Sequence, residues 1–468
     1  MHCDPRQVRG PGALSYDGRH CSHRRVTTRI LLARHGLSTY NLEGRIQGRD
    51  DRSLLSPQGE QQARQLGEAL REVPVTAVWC SPLQRARRTA ELLLEARGAG
   101  PALRPSNGLL EIDLEPWTGL GRDDLRRCHP AEEQLWSSRP EELELQRQDG
   151  RSYRPLLELH QQAQDLWGEL LQSHPPDGEH SVLLVAHNGI LRCLLLAALG
   201  LPASAFGRYR LDNASLSVLN VRPGGDRGPQ VQIESLNAQG HLGDPLPRFR
   251  GGRRLLLVRH GETHWNREGR FQGQIDIPLN ERGKAQAAAA GSFLAGETLN
   301  RAYTSSMARP RQTAESILAH QPRPVPLTSV GGLVEIAHGE WEGCLEEDIR
   351  DRWPQLLSDW QTAPERVQMP GGETIQQVWE RSVHSWQRIA DGLHPGETAL
   401  VVAHDAVNKT ILCHLLGLGA ADIWAVKQGN GGVSVIDYGP AAGPPVVACL
   451  NLTGHLGGVL DRTAAGAL

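Results

Sequence analysis

The chain repeats itself, and the repeat constrains its fold more than any other feature. Residues 29–48 read RILLARHGLSTYNLEGRIQG and residues 254–273 read RLLLVRHGETHWNREGRFQG, an offset of 225. Further matches follow in the same order. Ser81 to Arg85 returns as Ser305 to Arg309, and Glu111-Ile112 with Trp117 and Gly119 returns as Glu335-Ile336 with Trp341 and Gly343, both at offset 224. Val185-Ala186-His187 returns as Val402-Ala403-His404 at offset 217, and Gly240-His241-Leu242-Gly243 returns as Gly454-His455-Leu456-Gly457. An ordered series of this kind is the mark of a duplicated unit.

The chain has 468 residues, which suits two cores of about 200 residues each. The expected division is a disordered extension over 1–28, a first domain over 29–243 and a second over 254–458. A Pro- and Gly-rich linker at 244–253 separates them, and a tail follows at 459–468. A hydrophobic fraction of 39% with 22% charged residues describes a soluble globular protein, and a net charge of −3 gives no basic field for nucleic acid. No apolar run approaches the ~18 residues of a membrane span, and 1–28 lacks the apolar centre of a secretory signal. Eight scattered cysteines without a C-x-x-C pair read as reduced thiols of a cytoplasmic protein.

Each copy opens on a short apolar run, 30–33 or 255–258, that stops at Arg-His-Gly. Such runs read as buried strands of a parallel sheet. A helix is predicted over 57–72, capped by Ser56, with Pro57 at its first position and Ala63, Leu66 and Leu70 on its inner stripe. In the second copy Asn280 is the expected cap, with Ala285, Ala288 and Ala289 inside. Further strands are predicted at 75–79, 182–186 and 399–403. The alternation argues an α/β fold: two tandem domains, each a mainly parallel sheet with helices on both faces. Trp117 and Trp341 read as scaffold, and Trp136 and Trp360 as packing for a small helical cap.

Ligands of open α/β sheets gather at the carboxyl ends of the strands. Arg34-His35, Arg259-His260, His187 and His404 all stand at such ends. Two arginines can grip phosphoryl oxygens with planar forks. A neutral imidazole can attack phosphorus, and a second, if protonated, can neutralise the equatorial oxygens. One glutamic acid can protonate the leaving group and then activate water. No metal or cofactor is required by such a set.

These residues resemble the signature of the histidine phosphatase superfamily, also called phosphoglycerate mutase-like. The resemblance covers about 29–243 and 254–457. It implies that His35 and His260 are phosphorylated nucleophiles and that Glu111 and Glu335 are proton donors. Arg34, Arg85, His187 and Asn41 would surround the phosphate in the first domain. Arg259, Arg309, His404 and Asn266 would do so in the second. The partner implied is a small phosphorylated metabolite; the oligomeric state is not written in these residues.

The two copies are not identical. Leu37 stands where the second copy has Glu262, and Arg151 stands where it has Glu373. In the second copy Asp405 follows His404; a carboxylate aimed inward would repel phosphate, so it is expected to point away and contribute only its backbone N–H. The second domain is therefore the expected main catalyst. The alternative is a first domain that binds a phosphorylated metabolite and regulates the second. Mutase members of the family carry a long basic insertion after the acid motif, whereas 341–348 here reads WEGCLEED. The implied activity is phosphate monoester hydrolysis, with phosphoglycerate mutase activity as the competing reading. The tandem layout resembles that of 2-carboxy-D-arabinitol-1-phosphatases of cyanobacteria and plants, which suggests a sugar-acid phosphate.

Overall fold

The structure, a computed structural model, describes residues 27–98, 100–224, 228–243, 246–440 and 443–464. All but two residues of the expected extension over 1–28 lie outside these.

The first half runs β1 (Thr28–Arg34), α1 (Thr39–Glu43), α2 (Pro57–Ala69), β2 (Ala77–Cys80), α3 (Gln84–Arg97) and β3 (Leu103–Pro105). It continues through α4 (Arg122–Cys128), α5 (Pro130–Ser138), the short strands β4 (Leu145–Gln146) and β5 (Ser152–Tyr153), and α6 (Pro155–Ser173). It closes on β6 (Ser181–Ala186), α7 (Asn188–Ala198), β7 (Leu216–Arg222) and β8 (Gln230–Ala238). The second half repeats this order with β9 (Arg253–Arg259), α8 (His264–Glu268), α9 (Glu281–Leu294), β10 (Arg301–Thr304), α10 (Ala308–Leu318) and β11 (Leu327–Ser329). Next come α11 (Glu346–Arg352), α12 (Pro354–Thr362), α13 (Ile375–Asp391), β12 (Thr398–Ala403) and α14 (Asp405–Leu416). The strands β13 (Val433–Tyr438) and β14 (Val446–Leu452) end it.

In each half four strands are parallel, in the order β3-β2-β6-β1 or β11-β10-β12-β9, and an antiparallel hairpin adds to the inner edge. The side-chain period of two decides what packs where. Ile30 and Leu32 of β1 face α6 and α7, meeting Leu159 and Leu194, while Leu31 and Ala33 face α2 and α3, meeting Leu66 and Leu93. In the second half Leu256 and Val258 meet Ala290 and Ala314 on the corresponding face. Every residue of β6 and of β12 is buried, as strands covered on both faces require. Among the described residues no helix is long and apolar enough to cross a membrane.

Helix α2 forms as its sequence predicts. Ser56 accepts from the N–H of Gly59, Pro57 opens the helix, and Ala63, Leu66 and Leu70 are buried, though the helix ends at Ala69. The inner stripe of α9 differs from the expectation. Asn280 caps Gly283, but Ala285 is exposed, Ala288 and Ala289 are half-buried, and the core face carries Gly283, Ala287, Ala290 and Leu294. An uninterrupted alanine run carries no hydropathy phase. The cap and the close approach of Gly283 to the backbone of Glu262, where a Cβ would come within 2.0 Å of a carbonyl oxygen, set the rotation instead.

The two sheets are one. β8 pairs antiparallel with β14, Leu236 opposite Leu450, giving a continuous twelve-stranded sheet. The seam has a local two-fold. Tyr209 bridges Val447 and Val426 bridges Ile233. Asn237 donates to the carbonyl of Ala448 (2.7 Å) and Asn451 to that of Glu234 (2.8 Å). Both asparagines sit at positive φ (57° and 50°), a conformation that asparagine tolerates better than most residues. The connecting segments cross reciprocally. Leu246 is buried among Leu256, Val258 and Leu294 of the second half, and Val459 and Leu460 pack against the cluster of Leu31, Leu66 and Val78 in the first. The segment read as a linker is thus held in place, with Arg254 donating to the carbonyl of Pro247 (2.8 Å).

Trp117 and Trp341 are buried scaffold. Trp136 is half-buried on α5, edge-on to Trp117 and near Phe206. Trp360 on α12 is fully buried and edge-on to Trp424 and His338. Trp360→Ala is expected to cost about 3–5 kcal/mol by cavity formation, read as a lower urea midpoint at constant m-value.

Candidate active site

The carboxyl ends of β1, β6 and β2 converge in the first half, and those of β9, β12 and β10 in the second. Arg-His-Gly ends the central strand in each. The glycine is required by the close approach of the next helix: a Cβ at Gly36 would meet the carbonyl oxygen of Gly59 at 2.3 Å, and one at Gly261 would meet that of Gly283 at 2.3 Å.

The turn fixes the first histidine. His260, 2% exposed, places Nδ1 2.7 Å from the carbonyl of Gly261, and His35 does the same with Gly36. A carbonyl can only accept, so Nδ1 carries the proton and Nε2 keeps its lone pair for the cleft. Arg309, on the first turn of α10, donates from Nε towards Nε2 of His260 (3.3 Å) and anchors its other nitrogens on the carbonyls of Ile275 (3.1 Å) and Gly273 (2.8 Å). Arg85 is anchored likewise on Asp50 and Gly48, both 2.8 Å. Arg34 and Arg259 are tied to the carbonyls of Leu211 and Gln428.

The second histidine stacks obliquely on the first. Ring centroids of His35 and His187 are 5.2 Å apart, and those of His260 and His404 are 5.3 Å apart. Nε2 of His187 lies 2.7 Å from Ser81 Oγ, and that of His404 lies 2.9 Å from Ser305 Oγ. These serines were legible in the repeated motif but carried no role there. Burial, and then the adjacent Arg85 or Arg309, push all four imidazoles well below their ordinary range. The second histidine is therefore neutral, not cationic as the chemistry of an isolated set would suggest; only an added anion would favour its protonation. Burial also lowers Arg34 and Arg309 to about 10, which leaves both charged at neutral pH.

Asn41 and Asn266 are each the third residue of a capping box. Asn41 Oδ1 accepts from Asn213 Nδ2 (3.0 Å), and Asn266 Oδ1 from Asn430 Nδ2 (3.3 Å) and the Thr263 N–H (3.1 Å). With the oxygen so used, the amide nitrogen is the end turned outward as a donor. Among the described residues several buried nitrogens have no protein partner, including Nε of Arg34, Arg85 and Arg259 and Nδ1 of His187 and His404. Buried donors are almost always satisfied, and the three guanidinium nitrogens, which can only donate, are ones that an anion would satisfy.

The glutamates differ. Glu111 is half-buried and accepts from three backbone N–H groups, Ile112 (2.9 Å), Gly189 (3.1 Å) and Ile190 (3.1 Å). Both its oxygens are folded onto the N-terminus of α7. Glu335 is buried and accepts from Ile336 (3.0 Å) and Asp405 (3.1 Å). A Cβ at Gly189 would stand 2.4 Å from Glu111 Oε1; the second half has Ala406 there, whose methyl group excludes the folded-down pose.

The loop carrying each glutamate is held by an exchanged pair. In the first half Arg49 donates to the carbonyl of Glu111 (2.9 Å), and Gln162 donates to those of Gly108 (3.1 Å) and Leu110 (2.9 Å). In the second, Gln274 donates to the carbonyl of Glu335 (3.1 Å), and Arg381 donates to those of Gly332, Val334 and Glu335. Guanidinium and amide have traded places. Glu373 answers the moved charge, bonding Arg381 (2.8 Å) and the N–H of Ala337 (2.9 Å), while Arg151 pairs with Asp149 at the surface. The charge reversal at 151 and 373 is thus a compensation inside the scaffold. Glu262 is also structural: buried, it bonds Asn280 (2.9 Å) and Arg267 (3.0 Å).

One expectation is overturned. Asp405 does not point away from the site. Its carboxylate is buried 3.4 Å from Arg259 and 2.8 Å from Lys409. The i,i+4 spacing of Asp405 and Lys409 was the available signal.

The sequence profile described as histidine phosphatase superfamily (branch 1) matches residues 30–233 and, again, residues 255–451. The chain belongs to the histidine phosphatase superfamily. It is 34% identical over 235 residues to the 2-carboxy-D-arabinitol-1-phosphatase of Triticum aestivum, covering 49% of this chain and 46% of that protein, so it spans about half of that relative. It is 33% identical over 204 residues to phosphoserine phosphatase 1 of Hydrogenobacter thermophilus, covering 44% of this chain and 94% of that one. The probable 2-carboxy-D-arabinitol-1-phosphatase of Arabidopsis thaliana aligns over 462 residues at 27% identity, covering 92% of this chain and 89% of that one. The named phosphatases of the superfamily thus include both half-length and full-length relatives of this tandem chain.

Proposed function

We propose that the chain hydrolyses phosphate monoesters of small soluble metabolites through a phosphohistidine, and that the second site carries most of the turnover. The observation that carries this reading is the convergence of two arginines and a second histidine on a histidine whose Nδ1 is committed to a backbone carbonyl, which leaves the Nε2 lone pair towards the guanidinium that would hold the phosphoryl group. His260 Nε2 forms the bond to phosphorus as the ester oxygen leaves, and Glu335 gives that oxygen its proton. Glu335, then ionised, takes a proton from water, whose oxygen displaces His260 and releases inorganic phosphate. Arg259, Arg309, Asn266 and His404 hold the phosphoryl oxygens throughout. In the first site His35, Glu111, Arg34, Arg85, Asn41 and His187 correspond.

Two features favour the second site. Burial pushes the Glu335 carboxyl up, towards the protonated form an acid needs, and Glu335 accepts two backbone N–H bonds against the three that Glu111 accepts, two of them from α7. Substrates of the sugar-acid phosphate class, such as 2-carboxy-D-arabinitol 1-phosphate, are supported by the relative that aligns across both halves. Screening the purified chain against phosphorylated sugar acids, phosphoserine and phosphoglycerate tests the class; isomerisation of 3-phosphoglycerate faster than its hydrolysis would overturn it. The first site can be interrogated alone in a His260→Ala background. There Gly189→Ala is expected to free Glu111 from α7 and raise residual turnover of an alkyl phosphate roughly tenfold; unchanged turnover would show that the folded-down pose is not what limits that site.

A further inference from the structure

The hydrolytic scheme leaves one buried acidic side chain of the second site unused. Asp405 opens α14 and is 3% exposed. One carboxylate oxygen lies 3.4 Å from Arg259, the other 2.8 Å from Lys409 Nζ, and its backbone N–H donates to Glu335 Oε2 at 3.1 Å. Lys409 is itself buried and lies over the ring of Trp424, 4.7 Å from its centroid. Burying a carboxylate beside an anion site is unfavourable unless its partners repay the desolvation, so its presence there calls for a reason. The first half has Asn188 and Arg192 at these positions, and Arg192 turns instead to the carbonyl and ring of Phe206.

We propose that Asp405 is a positioning residue, which fixes Arg259 across the phosphoryl site and, by its charge, keeps the proton on the neighbouring Glu335 until the leaving group takes it. The inference rests on the reading of Glu335 as the proton donor. The charges around Glu335 can be sorted by element. Arg309 from α10 and Arg259 from β9 favour its ionised form, and Asp405 from α14 opposes them. Arg381 from α13 meets the Glu335 backbone, its charge paired with Glu373. His260 and His404 are neutral. Burial is the largest influence on Glu335 and raises it, Arg309 pulls it down, and Asp405 adds to the rise. Two guanidiniums near a general acid would strip its proton too early; one carboxylate beside Arg259, on the residue whose N–H meets the acid, offsets that.

The test uses the full chain carrying His35→Ala, so that only the second site reports, with kcat and KM measured against pH for an alkyl and an aryl phosphate. Because Glu335 must be protonated, turnover of the alkyl ester falls as pH rises through its pKa. Asp405→Asn should move that basic limb to lower pH by about 0.5–1 unit and raise KM several-fold as Arg259 loosens. The aryl ester, whose leaving group departs without a proton, should keep its limb. Lys409→Met, which leaves Asp405 uncompensated, should move the limb the opposite way, and it serves if Asp405→Asn does not fold. A profile that merely drops in amplitude with both variants, or shifts in the same direction with both, would overturn the proposal. Glu335→Gln separates the two levels: if it leaves alkyl turnover intact, the reading of Glu335 itself has failed, whatever Asp405 does.

Discussion

In a chain whose first site is silenced by His35→Ala, replacing His260 with alanine is expected to lower turnover of any phosphate monoester by about 10⁴-fold and to abolish an acid-labile, alkali-stable phosphoenzyme trapped by rapid quenching with radiolabelled substrate. The size follows from what the side chain supplies. Its Nδ1 is committed to the Gly261 carbonyl, so Nε2 is a fixed nucleophile, and Arg309 stands 3.3 Å from it, ready to hold the transferred group. The neighbouring imidazole of His404 is turned otherwise, its Nε2 held by Ser305 Oγ. His35→Ala should remove less than half of the turnover. The opposite ranking would reassign the main site to the first half. The same geometry sets a pH expectation. Burial, reinforced by Arg309 and Arg259, holds His260 well below its ordinary range. A lowered pKa keeps the imidazole deprotonated above it, so His260 should impose no acid limb near its usual titration, and kcat/KM should stay level on moving from neutral to mildly acidic buffer.

Glu335→Gln carries the second large effect, and its signature is a dependence on the leaving group. Alkyl phosphates, whose alkoxide cannot leave unprotonated, should lose about 10²- to 10⁴-fold in kcat. Aryl phosphates should lose far less in the first step, so hydrolysis of the phosphohistidine becomes limiting and the labelled intermediate accumulates. Glutamine retains the shape and keeps one of the two bonds, from Ile336 or from Asp405, through its single oxygen, so the fold should persist with a melting temperature lowered by only a few degrees. A uniform loss across both ester types, with no accumulation, would mean that Glu335 acts on binding rather than on the proton.

Much of this was readable in the chain because local rules act alone there. Ser56 and Pro57 start α2, Asn280 caps α9, and the apolar runs ending in Arg-His-Gly read as buried strands. The phase of α9 was not readable, since four consecutive alanines leave the inner face to be chosen by Gly283. The direction of Asp405 was missed because repulsion of phosphate was weighed without Lys409, one turn further along α14. The difference between Glu111 and Glu335 depends on one methyl group, at Ala406 and absent at Gly189, and becomes visible only when helix and loop are juxtaposed. The continuous sheet was equally hidden: neither β8 nor β14 is among the strands predicted from the sequence, and nothing in either specifies the other as its partner.

That seam, with its crossed straps at Leu246 and Leu460, changes what the chain can inherit. In a symmetric pair of identical subunits every substitution appears twice, and a change that suits one pocket is forced on the other. Here the same two-fold arrangement is written along one continuous strand of code. The two pockets stay in one-to-one ratio at any dilution, yet each can drift by itself. Arg49 with Gln162 against Gln274 with Arg381, and Asn188 against Asp405, are departures of that sort. A single molecule can thus keep one pocket under selection for turnover while the other is released to acquire a different ligand.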